Sequence, residues 1–298
     1  MPRVIANTQA GTASLAETID ALAQGFDPRD EASTLEAAAA LERLANNRHF
    51  LGDLLVAQLR ERHRDAFEDS AYGPQAIVLS PLRGGCFLRA NIWPSEEESC
   101  FRSSGARSFV YGIPHDHNFD FLTAGYFGPG YRSDYYEIDY EAIAGFSGEE
   151  VPLRFAERSA LHEGKLMHYR AHVDVHAQLP PVTTSVSLNV MRVDAGQDWF
   201  DQYGFDLERS AVARILNPSA SETFLRCAVA LGDAEALDLA ECFGRTHPSA
   251  RMRLASFEAR SGLLDCDADR DGLWREAERA GSLMLAGEAR LRRAAIQP

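Results

Sequence analysis

The 298-residue chain has no cysteine framework. Its five cysteines (Cys86, Cys100, Cys227, Cys242 and Cys266) are scattered and odd in number, and no Cys-x-x-Cys occurs. That excludes a disulfide scaffold and a zinc-thiolate centre. The cysteines are expected to be small buried residues. Positive charge is also scarce: 30 Lys and Arg face 44 Asp and Glu, for a net charge of -14 and a pI near 5.1. An acidic chain is poorly suited to nucleic acid or to an anionic membrane surface. No segment approaches the roughly 20 apolar residues needed to span a bilayer. The opening Met1-Pro-Arg-Val-Ile-Ala has too short an apolar run for a secretory signal. The expectation is a cytoplasmic chain with a large core and more than one structural unit.

The chemistry concentrates in histidine. Five of the nine histidines lie in two short stretches. The first is Gly112-Ile-Pro-His115-Asp116-His117, followed by Phe119 to Phe127 and a Gly128-Pro-Gly130 turn into the aromatic segment Tyr131 to Tyr140. In an extended strand, residues two apart share a face. His115 and His117 can therefore hold one metal as neutral imidazoles while Asp116 points away. The second stretch is Met167-His168-Tyr-Arg-Ala-His172-Val-Asp-Val-His176. Read as one strand, it puts His168, His172 and His176 on one face. Val182 to Val193 then forms a β-branched strand.

The Pro-His115-Asp-His117 core, the strand-turn-strand after it, and the pair Asp-Val-His176 and Ser-Val-Ser187-Leu resemble the cupins. Within them they are similar to the cysteine-dioxygenase-like mononuclear iron enzymes. The resemblance covers residues 75–195. It implies a double-stranded β-helix, or jelly-roll, barrel with Fe(II) on three histidines, here His115, His117 and His176, with His172 as the rival third ligand. Many cupins add a glutamate shortly after the second histidine, where this chain has Phe121 and Leu122. Three neutral ligands would leave open positions for a small substrate and O₂. The thiol dioxygenases carry Ser, His and Tyr at alternate positions of the late strand. Here Ser187, Asn189 and Met191 stand there, so a thiol substrate is not implied. The family's carboxylate-binding arginine corresponds to Arg89. If His176 is the ligand, His172 becomes a hydrogen-bond partner of the ligands or an acid/base near substrate. Zinc, nickel or manganese are alternatives to iron, because ligand type alone does not select the metal.

The rest of the chain frames this core as an α+β protein. Residues 1–72 read as helical, with a capping-box pattern at Ser33-Thr-Leu-Glu36. Residues 73–200 change to period two and form the barrel, its strands including 76–79, 86–93 and 151–157. Residues 201–298 return to helical spacing, beginning with Asp206–Leu216 and followed by helices at 218–231, 233–243, 248–261 and 272–295. Their surfaces could cover the barrel or pair two copies as a homodimer. Asp267, Asp269, Asp271 and Glu278, with Gly272, match the spacing of a calcium-binding loop. Trp274 and the lack of a second loop favour an acidic turn capping a helix from Leu273 instead. His49, His63, His162 and His247 are read as structural. Tyr126, Tyr131, Tyr135 and Tyr136 are read as core or rim aromatics, one of them able to touch substrate.

Overall fold

A computed structural model describes residues 2–61 and 75–296. In chain order the elements are β1 (Arg3–Ile5), α1 (Leu15–Ala21), α2 (Glu31–Asn46), α3 (Phe50–Glu61), β2 (Ala76–Val78), β3 (Cys86–Trp93) and α4 (Ser99–Ser104). Next come β4 (Phe121–Phe127), β5 (Arg132–Glu137), β6 (Arg154–Ala160), β7 (Leu166–Tyr169), β8 (Asp174–Leu179) and β9 (Ser185–Arg192). The chain closes with β10 (Tyr203–Asp206), β11 (Ala211–Ile215), α5 (Ala220–Leu231), α6 (Ala234–Thr246), α7 (Ala250–Ser261), α8 (Asp267–Glu278) and α9 (Leu283–Ile296).

Two compact units result. The first comprises Met1–Ile138 and Leu153–Gln197, the second Asp139–Pro152 and Asp198–Pro298. The first unit holds a six-stranded sheet, ordered β1-β7-β4-β9-β3-β2, and a three-stranded sheet, ordered β6-β5-β8. All their pairings are antiparallel. These sheets are open, so the closed barrel expected from the sequence is corrected to two separate sheets among the described residues. Residues 112–117 lie outside any named strand and contribute an isolated bridge, His115 to His176.

Strand parity organises the larger sheet. Leu88 and Ala90 of β3, Leu122 and Ala124 of β4, and Leu188 and Val190 of β9 pack with Leu41, Leu44, Ala37 and Ala38 of α2. Residues one step away point to the opposite face. There Trp93, Phe121, Met167, Tyr169 and Met191 join Tyr135 of the smaller sheet, and Tyr131 just before it, in a second cluster. The turn between β4 and β5 depends on glycine. Gly128 and Gly130 have φ of 81° and 80°, and a Cβ on Gly130 would meet the Leu161 carbonyl oxygen at 2.0 Å. A side chain at either position would be strained.

Several helix ends differ from expectation. α2 starts at Glu31, capped by Asp30, whose side chain accepts from the Ala32 amide at 3.0 Å. The expected cap Ser33 lies inside the first turn and accepts from the Asp27 amide. A capping box does form at Ser14 and Glu17. The expected helix at 206–216 is instead the β10-β11 hairpin, its turn ending in Ser210 at φ 48°. Asp267 to Glu278 form one continuous helix, α8, so the four calcium-loop carboxylates lie along a helix and encircle nothing. Arg293 ties Asp271 (2.8 Å) to Glu278 (2.6 Å). The helix therefore starts at Asp267, which corrects the acidic turn and the start at Leu273 expected from the sequence. In the second unit Phe257, Trp274, Met284 and Leu285 form a core across α7, α8 and α9. Gly287 admits the Phe146 ring there, since a Cβ would lie 2.2 Å from it.

Among the cysteines, Cys86 is buried, but Cys100, Cys227, Cys242 and Cys266 are exposed, so burial holds for one of five. Among the described residues no helix is long and apolar enough to cross a membrane.

Candidate metal centre

The site is built on a backbone bridge. The His115 amide donates to the His176 carbonyl at 3.0 Å, and the His176 amide donates to the His115 carbonyl at 2.9 Å. Two residues that exchange both bonds are direct antiparallel partners, so their side chains share a face. His117, two residues on, keeps that face. Two further backbone bonds flank the bridge: the Gly112 amide donates to the Gln178 carbonyl at 2.9 Å, and the His172 amide to the His117 carbonyl at 2.8 Å. β8 in turn pairs with β5, with Tyr135 opposite His176.

Three imidazoles converge as a result. His115, His117 and His176 are all buried, and each offers a ligand atom within 4.8 Å of the others. Their ring centroids lie 4.5 to 5.0 Å apart. The His115 Nδ1 sits 2.7 Å from the Ile113 carbonyl oxygen. A carbonyl only accepts, so Nδ1 carries the proton and Nε2 keeps the lone pair. That Nε2 is 3.2 Å from the His176 Nε2. Nitrogens about 2.1 Å from one ion stand about 3.0 Å apart at a right angle and about 3.4 Å apart at the tetrahedral angle. The observed spacing falls between these values. Burial holds the pKa of all three below the ordinary 6.5, well below for His117 and His176, each of which also feels neighbouring histidines. The group is thus neutral and able to ligate near pH 7. The residues fit a metal ion.

Aromatic rings enclose the group. Phe119 and Phe121 lie 5.1 and 4.9 Å from His117, and Tyr169 lies 5.0 Å from His176. Tyr135 stacks against His176 at 6.4 Å. The Tyr135 and Tyr169 hydroxyls are 3.1 Å apart. Burial raises the pKa of Tyr131, Tyr135 and Tyr169, so all three remain phenols. Tyr169 was missing from the sequence reading. Its signal was parity, two residues after the core residue Met167.

The other sequence-level candidates are placed as follows. Arg89 lies on the site-facing side of β3, and its charge opposes protonation of His117. His172 is outside the three-histidine group, in the β7-β8 turn with φ 62°. The expected continuous strand from His168 to His176 is broken there, because Arg170 folds back onto the buried Asp174 through contacts of 2.6 to 3.1 Å. His168 points to the helix-covered side, 3.1 Å from Asp120 and 6.2 Å from the Phe26 ring. It does not share the ligand face. Of the tyrosines, Tyr131 and Tyr135 are interior. Tyr126 packs on the helix side, its hydroxyl donating to the Asn47 carbonyl at 3.0 Å, and Tyr136 packs on Phe155 at 5.4 Å. His162 and His247 make local backbone contacts, as expected of structural residues. His63 lies outside the described residues.

No protein-family model matches the chain, and no curated protein matches it. Solved structures give partial likenesses. A salicylate 1,2-dioxygenase variant from Pseudoaminobacter salicylatoxidans is 10% identical, with a TM-score of 0.26 over 48% of this chain and 33% of that one. The DMSP lyase DddQ from Ruegeria pomeroyi is 12% identical, with a TM-score of 0.27 over 65% of this chain and 79% of that one. A prolyl 4-hydroxylase from Phytophthora capsici is 11% identical, with a TM-score of 0.24 over 95% and 83%.

Proposed function

We propose that this chain is a metal-dependent enzyme of the cupin type, an Fe(II) oxygenase that takes a small carboxylate substrate and O₂. The observation that supports it is the buried, neutral group of His115, His117 and His176 inside an aromatic shell. When bound, the ion supplies the redox or Lewis-acid chemistry that side chains lack.

The protein's own residues do the rest. The Ile113 carbonyl fixes the His115 tautomer and aims its Nε2 lone pair inward. Phe119, Phe121 and Tyr169 keep water from the ligands. Arg89 binds and orients a substrate carboxylate, since a guanidinium pairs with both carboxylate oxygens. Tyr131, Tyr135 and Tyr169 hold their protons and act as hydrogen-bond donors. His172 is the acid/base of this reading, supported by the bond from its amide to the His117 carbonyl. The free thiols suit a reducing, cytoplasmic setting.

Elemental analysis of purified protein together with oxygen uptake tests the proposal. His115→Ala and His117→Ala are each expected to lose both bound metal and turnover. Full iron and full activity in either variant end the proposal. Zinc, nickel or manganese with no oxygen uptake would identify a non-oxidative isomerase, lyase or hydrolase instead, because ligand type alone does not select the metal. Absence of any metal in protein purified without chelator would point to a ligand-binding scaffold.

A further inference from the structure

The register of the larger sheet sets a line of polar residues across its site-facing side. Arg89 pairs with Asn189, and Asn189 with Thr123. Direct partners share a face, so the three form one row, with about 4.8 Å between neighbouring strands. Two residues along, about 6.8 Å away, lies the row of Phe87, Met191, Phe121 and Tyr169. Phe121 and Tyr169 are the rings that abut the histidines. The polar row is therefore one strand repeat from the rings that abut the candidate metal centre.

Among the described residues, the Thr123 hydroxyl on this face has no hydrogen-bond partner. Thr123 is 0% exposed. A buried polar group without a partner is costly to the fold, and folded proteins seldom keep one without use. Val at position 123 would have the same shape and none of that cost. Arg89 brings positive charge to one end of the row, and Thr123 brings a hydroxyl that can accept or donate to the other.

We propose that this row is a subsite for a short carboxylate that also carries a hydroxyl or amino group. The carboxylate lies at the Arg89 end, and the second group bonds to Thr123. Thr123 is then a specificity-determining residue that separates such substrates from plain carboxylates. The inference rests on the metal-enzyme reading for the Arg89 end and adds the second contact.

The test is a ligand-observed NMR titration of the full chain with propionate, 3-hydroxypropionate and β-alanine, as purified and again after chelation. At least one of the two bifunctional acids is expected to bind about tenfold more tightly than propionate, and the preferred one names the donor. Thr123→Val should erase that preference and leave propionate binding unchanged, and Thr123→Ser should keep it. Ligand-free Thr123→Val should also melt at a higher temperature than the parent, since the unmet hydroxyl is gone. Equal binding of all three acids by the parent, or a preference that survives Thr123→Val, overturns the proposal. The chelated arm makes this outcome independent of the ion. Failure of the metal reading would show separately, in the metal content of His117→Ala.

Discussion

The two faces of the six-stranded sheet are made by the same strands and differ in every respect that matters. One face carries Leu88, Ala90, Leu122, Ala124, Leu188 and Val190 and is sealed by α2. The other carries Arg89, Asn91, Thr123, Ser187 and Asn189 between large aromatic residues. A single-residue step along β3, β4 or β9 crosses from one to the other. The first face holds the fold together by removing apolar surface from water. The second gives up some of that stabilisation to keep polar groups available. Stability and chemistry are thus divided across one backbone, and changes to each face should read out differently.

The largest stability effect should come from the helix-covered face. Leu188→Ala is expected to cost about 2–5 kcal/mol in urea unfolding, since Leu188 is fully buried among neighbours that cannot collapse onto the gap. A cost near zero would mean that this face is not the stabilising one. The site side should instead respond to pH. His115, His117 and His176 have folded pKa values below the ordinary 6.5, so below that pH the unfolded chain binds more protons than the folded one. Stability should therefore be flat above about pH 6.5 and fall as pH drops, by about 1.4 kcal/mol per pH unit for each proton taken up. The triple variant with His115→Gln, His117→Gln and His176→Gln should lose most of this slope, and an unchanged slope would place the titration elsewhere. The smallest effect is expected at the rim of the site-facing side, where Val78 pairs with Arg89 and is 43% exposed. Val78→Thr should move stability by no more than about 0.5 kcal/mol. A larger change would mean that the polar face is covered further out than β2.

Much of this division was legible in the sequence. The period-two pattern at 86–93 and the β-branched run Val182 to Val193 gave strands, the His-x-His spacing gave His115 and His117, and the cupin resemblance pointed to His176, which the structure brings to the same group. What could not be read depended on pairing between distant segments. Asp206–Leu216 has helical spacing, yet Tyr203 finds Ile215 and Phe205 finds Val212 across a hairpin, and strand pairing wins over local preference. His168 and His172 left the expected ligand face because the ion pair of Arg170 with Asp174 closes a turn that side-chain parity alone cannot reveal. The calcium-like spacing failed for a related reason: the same residues satisfy a helix, with Arg275 and Arg293 answering the carboxylate of Asp271. Thr123 carries no signal in the sequence, because its neighbours Asn189 and Met167 are set by strand pairing.

The reciprocal main-chain link between residues 115 and 176 has a consequence for how such a centre could change over time. Two of the three donors hang from a spacing that the polypeptide sets before any ion arrives. Replacing either imidazole by a carboxylate would alter the hardness of the donor set and leave its scaffold untouched. A lineage built on this frame could exchange one metal for another by single substitutions, without having to fold anew.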